Sequence, residues 1–316
     1  MRVAVVDGMA RTEPRHRPTL GVVPRCAVLL ALTGLISLTS GCGRDTGKTT
    51  GKILVAAGIA PLADFARNVG GDLVEVELLV PPGSSPHTYQ ITARQMKFVS
   101  KASVLVLNGV NLEFWAEKVV DAADNPTLTV IRTADGLETI NSAEGRGHLT
   151  SNPHVWLDPI NAVHQVESIR DALVRADPAH KAEYRANARA YIEKLKRLDH
   201  DIRTEVNAFK SKEFIVFHPA WAYFARRYRL VQVAVIETSP GKQPSPSDLR
   251  RVIETARKLK AKAIFAEPQL SAKAAEVIAE EAGADVLFLD PLGRPPHYDY
   301  IQTMRGNLEQ MSRALK

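Results

Sequence analysis

From Pro178 to Lys210 the chain carries no further proline and no glycine, and this stretch interrupts an otherwise regular alternation of strand-like and helix-like segments. Apolar residues recur within it at Ala188, Tyr191, Ile192, Leu195 and Leu198, the spacing of one helix face. A helix over residues 178–210 would span roughly 50 Å at about 1.5 Å per residue, long enough to cross from one domain to another. Before it, apolar runs at 53–57, 74–80, 104–108 and 128–131 alternate with helical patterns at 62–69, 93–100 and 112–121. After it, runs at 214–217, 231–236, 263–266 and 286–289 alternate with helical patterns at 221–228, 247–259 and 272–282, and a last helix starts near Tyr300. Such a rhythm builds parallel sheets covered by helices. The expected architecture is α/β. Two lobes, 52–165 and 211–316, each hold a mainly parallel sheet covered by helices, and a helical region, 166–210, joins them through one long helix.

The N-terminus reads as an export signal over residues 1–41. A basic region ends at Arg25, and the apolar run from Ala27 to Ile36 is too short to span a bilayer comfortably. Next comes Leu38-Thr-Ser-Gly-Cys42, which resembles the lipobox of bacterial lipoproteins, although Leu38 lies four residues before the cysteine where three is usual. Cys42 is therefore the expected lipidation site, anchoring an exported protein to the membrane, with 42–51 as a small, polar tether. Gly47-Lys48-Thr49 hints at a phosphate loop, but the first glycine of that motif would fall on Cys42, and a strand follows rather than precedes it. The only other cysteine, Cys26, leaves with the signal. The mature body then has no thiolate, so any metal site in it must use histidines and carboxylates.

Charge excludes one class of partner. Residues 1–41 hold five basic and two acidic side chains, so removing them lowers the formal charge from +6 to +3. The remaining Lys and Arg are scattered along helices as a solvated face, which is no nucleic-acid footprint.

Of nine histidines, His16 lies in the leader, His180 and His200 on the polar face of the long helix, His164 on a short helix, and His148 and His297 in loops. Three others share a distinctive setting. His87 follows a strand in Val80-Pro-Pro-Gly-Ser-Ser-Pro-His, His154 lies in Asn152-Pro-His-Val-Trp-Leu-Asp-Pro159, and His218 follows Phe214-Ile-Val-Phe217 and precedes Pro219. Asp290 likewise follows Val286-Leu-Phe-Leu289 and precedes Pro291. Ligands of open parallel sheets bind outside the carboxyl ends of the strands, and the flanking prolines stiffen the backbone there.

Pro86-His-Thr-Tyr-Gln, Asn108-Gly-Val-Asn-Leu-Glu-Phe-Trp115, the His154 segment, Phe217-His-Pro-Ala-Trp-Ala-Tyr-Phe224, Phe265-Ala-Glu-Pro-Gln269 and Leu289-Asp-Pro-Leu-Gly293 occur in that order. Together they resemble the zinc/manganese solute-binding lipoproteins of ABC importers, over residues 52–312. The resemblance implies that His87, His154, His218 and Asp290 coordinate a metal in a cleft between the lobes, and that an ABC permease receives it. Gln90 stands where the family commonly has Glu, and the loop at 141–152 lacks the long histidine-rich insert of some zinc members, keeping only His148.

Three imidazoles and one carboxylate suit tetrahedral zinc, whereas manganese favours more oxygen. Manganese-specific members of the family generally place a carboxylate where this chain has His218, so Zn²⁺ is the expected cargo ahead of Mn²⁺ or Fe²⁺. A closed four-ligand shell leaves no position for a reactive water, and His-Glu-x-x-His and Gly-x-Ser-x-Gly are absent, which argues for a receptor over an exported metallohydrolase. A metal-stabilised adhesin is the other rival, and it would unfold when chelated. The receptor is expected to be monomeric and not an enzyme. Asp158 and Glu267 are candidates for orienting ligand imidazoles. Trp115, Trp156 and Trp221 are expected in the core. Affinity is expected to fall as pH drops through the ordinary histidine range near 6.5.

Overall fold

A computed structural model describes residues 51–142, 150–237, 243–295 and 298–316. The leader, Cys42, residues 43–50, His148 and His297 lie outside the described residues. The described residues fall in one compact unit.

The first half runs β1 (Ile53–Ala57), α1 (Ala60–Gly70), β2 (Val74–Leu78), α2 (Ala93–Val99), β3 (Val104–Leu107), α3 (Ala116–Ala123) and β4 (Thr129–Arg132). These strands form one parallel sheet in the order β2-β1-β3-β4. A short antiparallel pair follows, β5 (Asn141–Ser142) with β6 (Thr150–Ser151). Two helices come next, α4 (Pro159–Ala176) and α5 (Lys181–Asn207). The second half runs β7 (Glu213–Val216), α6 (Ala222–Tyr228), β8 (Val231–Val235), α7 (Pro246–Leu259), β9 (Ala263–Ala266), α8 (Lys273–Ala282), β10 (Asp285–Phe288) and α9 (Tyr300–Leu315). Its sheet is again parallel, in the order β10-β9-β7-β8.

The sequence explains the order. β3 (VLVL) and β9 (AIFA) are buried at every position, as inner strands of covered parallel sheets must be. The edge strands β2 (VEVEL) and β8 (VQVAV) carry polar residues, which suits positions with one unpaired side. Local chemistry sets several helix starts. Thr92 and Gln95 form a reciprocal capping box for α2, and Ser245 with Asp248 does the same for α7, with Pro246 in its first turn.

The long helix is shorter than its sequence pattern implies. Asp177 leaves the helical region because the ring of Pro178 crowds the preceding residue, and Pro178–His180 forms a 3-10 turn. The Asp177 carboxylate fastens this corner by accepting from Tyr184 Oη (2.9 Å) and pairing with His180 Nδ1 (2.5 Å). α5 then has 27 residues, about 40 Å, and packs along α4 as a helical hairpin.

That hairpin is continuous with both sheets. Phe65 and Val106 from the first sheet's side, Leu195, Leu198 and Ile202 of α5, and Phe224 and Phe265 from the second sheet's side belong to one buried apolar cluster. The outer face of each sheet has its own core, around Leu105 and Val99 in one case and Ile264 and Ile278 in the other. A hydrogen-bonded acid reinforces the shared core. Asp64 on α1 accepts from Tyr191 Oη on α5 (2.8 Å) and from the Tyr300 backbone N–H at the start of α9 (3.2 Å). Burial pushes this carboxyl up to about 6.

Because both lobes share one core, the folded body is expected to unfold in a single cooperative transition. Leu195 is fully buried, so Leu195→Ala should cost about 2–5 kcal/mol and still give one transition. Calorimetry checks this, and two separated transitions would contradict the shared core.

Candidate metal centre

Three loops bring the singled-out histidines together. His87 lies in the proline-rich segment between β2 and α2. His154 precedes a 3-10 turn, Val155–Leu157, that leads into α4. His218 lies two residues beyond β7 and precedes a second 3-10 turn, Pro219–Trp221. β7 lies beside β9 in the middle of its sheet, where consecutive connections diverge, and parallel sheets bind ligands at such points.

The three rings sit at the corners of a nearly equilateral triangle, with centroids 5.1, 5.0 and 5.0 Å apart. Their Nε2 atoms face one another, 3.1 Å from His87 to His154 and 3.3 Å from His218 to His154. One nitrogen from each ring lies within 4.8 Å of the other two. In tetrahedral zinc, with Zn–N bonds of about 2.0–2.1 Å, neighbouring nitrogens stand about 3.4 Å apart. The ring nitrogens are already near that spacing.

Burial holds these rings neutral. It pulls His87 down to about 4 and His218 to about 3, and takes His154 well below the usual histidine range. Each neutral imidazole keeps one nitrogen lone pair to offer. The cavity they line has about 20 Å³ of free space. That is enough for one ion or one water. Trp156, Glu237, Glu267, Gln269 and Leu292 are among its other wall residues.

The other expected site residues are placed less simply. Asp290 is buried just beyond β10, but it does not belong to the convergent group. Its Oδ1 accepts from Gln269 Nε2 (2.8 Å) and from the backbone N–H groups of Leu292 and Gly293 (3.1 and 3.0 Å). Asp158 caps α4 by accepting from Ile160 N–H, and it faces Arg227 at 3.4 Å. Glu267 reaches the cavity, where its Oε1 has no hydrogen-bond partner. Burial first, then the nearby Asp290 and Glu237, push its carboxyl well above the usual range. His218 Nδ1 is likewise buried without a partner. Trp115, Trp156 and Trp221 are all buried, and Trp156 packs against His154 at a tilt of 52° with centroids 5.2 Å apart.

The side chain that does engage a ligand imidazole is Asn152, which sequence reasoning passed over. Its Oδ1 lies 2.8 Å from His154 Nδ1 and accepts from the His154 backbone N–H at 3.0 Å. The local signal was present, since Asn two residues before a partner N–H, with Pro between, is an Asx-turn pattern.

Two covered parallel sheets flanking an ion-sized cavity of neutral imidazoles are the build of a solute-binding protein of a metal-uptake system. The chain belongs to the ZnuA family, the periplasmic A component of zinc-uptake complexes, whose model matches residues 55–314. This is a family of extracytoplasmic binding proteins rather than enzymes. Among its relatives, the iron-binding protein YfeA of Yersinia pestis is 30% identical over 90% of this chain and 94% of its own. The zinc-binding lipoprotein AdcA of Streptococcus pneumoniae is 32% identical over 91% of this chain, which spans 60% of AdcA's length. A crystal structure of ZnuA superposes with a TM-score of 0.76 at 35% identity, covering 83% of this chain and 99% of that one.

Burial changes the pH expectation. Protons compete for the ring lone pairs only when pH approaches the folded-state values, about 4 for His87 and about 3 for His218, not near 6.5. Metal affinity should therefore vary little, by less than about threefold, between pH 8 and pH 5.5, and weaken below pH 5. Calorimetric titration with zinc across that range, corrected for buffer protonation, checks this. A steep decline through pH 6.5 would show that the rings are not held neutral.

Proposed function

We propose that this chain captures a zinc ion between its lobes and delivers it to the permease of an ABC importer. One observation carries the proposal: the Nε2 atoms of His87, His154 and His218, from three separate loops, converge at 3.1 and 3.3 Å. His87 and His154 come from the first lobe and His218 from the second, so the ion bridges them. Asp290 is the fourth donor. Its carboxylate is held by Gln269 and two backbone amides, and it turns toward the ion when metal enters. A nitrogen-rich set favours zinc, and AdcA, a relative of this chain, is named for zinc. The rival reading within the family is a manganese or iron receptor, since YfeA is named for iron.

Delivery needs the protein held near its permease. Lipidation of Cys42 after cleavage of residues 1–41, with the following polar residues as a tether, supplies that. Among the described residues no helix is long and apolar enough to cross a membrane. Because the cargo must leave, the metal-free protein should stay folded and melt cooperatively in EDTA.

His218→Ala should weaken zinc binding at least about tenfold while leaving the far-ultraviolet circular dichroism unchanged, because it removes one of three nitrogen donors. Asp290→Ala should cost less. Competitive titration of the metal-stripped protein with Zn²⁺, Mn²⁺ and Fe²⁺ tests the cargo, with zinc expected to win. Preference for manganese or iron would transfer the same site to the rival reading, and unchanged affinity in His218→Ala would remove that residue from it.

A further inference from the structure

Asn152 is 1% exposed and makes three side-chain contacts. Its Oδ1 accepts from His154 N–H (3.0 Å) and faces His154 Nδ1 (2.8 Å), while its Nδ2 donates to the carbonyl oxygen of Pro219 (2.7 Å). A backbone N–H can only donate and a carbonyl oxygen can only accept. The amide is therefore oriented from both ends, and the ring nitrogen that faces its oxygen must carry the proton. His154 is then the Nδ1–H tautomer. Its lone pair sits on Nε2, the atom that points at His87 and His218.

Pro219 directly follows His218, so the amide joins the tautomer of a first-lobe ligand to the second-lobe segment that carries another. Tyr223 of α6 holds the same spot, its Oη donating to the Asn152 carbonyl (2.7 Å) and accepting from Ile140 N–H (3.0 Å). His218 shows the contrast, because its Nδ1 is buried with no partner to fix it. We propose that Asn152 is a positioning residue for metal capture, locking His154 in its metal-accepting tautomer through an amide that the His218 segment of the other lobe holds in place. An Nε2–H ring would present a hydrogen to the ion where a lone pair is needed. A small displacement of the His218 segment lengthens the bond to the Pro219 acceptor, frees the amide to turn and relaxes the lock. Capture and seating of the His218 segment thereby favour each other.

This inference rests on the metal-capture proposal for its purpose, but its first test does not use metal. In metal-free protein labelled with ¹⁵N-histidine, long-range ¹H–¹⁵N correlation should show His154 as the Nδ1–H tautomer from pH 6 to pH 8. An Nε2–H tautomer overturns the inference even if zinc binds. Conversely, failure of the wild-type protein to bind zinc sinks the capture proposal and leaves the tautomer assignment standing. Asn152→Ala should mix the tautomers and weaken zinc binding about 10- to 100-fold, the usual cost of losing an outer partner of a ligating histidine. Asn152→Asp keeps the acceptor and loses the donor to Pro219. It should keep the Nδ1–H tautomer and recover most of the affinity that the alanine variant loses. If Asn152→Ala retains both the wild-type tautomer and affinity, or if Asn152→Asp binds no better than Asn152→Ala, Asn152 is not a positioning residue.

Discussion

The arrangement depends on keeping three imidazoles uncharged and close together where water is scarce. In water, rings with ordinary histidine behaviour would be partly protonated at mildly acidic pH and would repel one another at 5 Å. Burial changes that balance by making the charged form expensive, so the neutral form persists and its lone pairs stay available. The shared core maintains the burial. It runs from Phe65 through Leu195 to Phe265 without a break, and so fixes the distance between the loops that each lobe contributes. Two lobes with independent cores could drift apart and admit water. An ion-sized cavity between them requires a frame of this stiffness.

The cavity is also where the polar bookkeeping is incomplete. His218 Nδ1 and Glu267 Oε1 are buried with no hydrogen-bond partner, and each such group costs about 1–3 kcal/mol. Burial, and then the neighbouring Asp290 and Glu237, push the Glu267 carboxyl well above the usual range, which favours its neutral form and lowers that cost. Natural proteins tolerate such costs mainly at functional sites and offset them elsewhere. Here the offset is the apolar cluster that spans both sheets, together with the Asp64–Tyr191–Tyr300 contact that pins α1, α5 and α9 to one another.

Much of the fold was legible because parallel strands write themselves as short apolar runs. β1 and β9 fall on the stretches that the sequence marks, and Thr92 caps α2 as its side chain suggests. The long helix falls short of its periodicity at both ends: Pro178–His180 forms a 3-10 turn at a corner where the Asp177 carboxylate gathers His180 and Tyr184, and the helix stops at Asn207, before Lys210. The candidate site was legible as residue types at strand ends. Side-chain direction was not. Nothing in the local sequence says that Asp290 turns its Oδ1 to Gln269, whereas Asp158 followed by Pro159 is a helix-start pattern, and its carboxylate caps α4. Asn152 was harder still, because one of its partners, Pro219, is 67 residues away. Proton affinities are the extreme case. They follow from burial, which only the assembled lobes provide.

The same segment that carries His154 also sets how far the lobes can move. Within five residues it makes contacts to the His218 and Asp290 loops of the second lobe, from Asn152 Nδ2 to the Pro219 carbonyl and from Trp156 Nε1 to the Pro291 carbonyl (2.7 Å). Tyr300 Oη returns a bond to the Trp156 carbonyl (2.6 Å). The Trp156 and Tyr300 bonds are buried and the Asn152 bond part-buried, so opening the cleft exposes several polar groups at once, and water must replace every bond that is lost. A wide hinge would also have to tear the apolar cluster beneath. Small displacements that loosen these bonds together cost far less. They would also act directly on the candidate donors, since the bonds lie one or two residues from His154, His218 and Asp290. In a frame joined by one core, the 152–156 segment is the place where a small shift reaches both candidate loops of the second lobe at once.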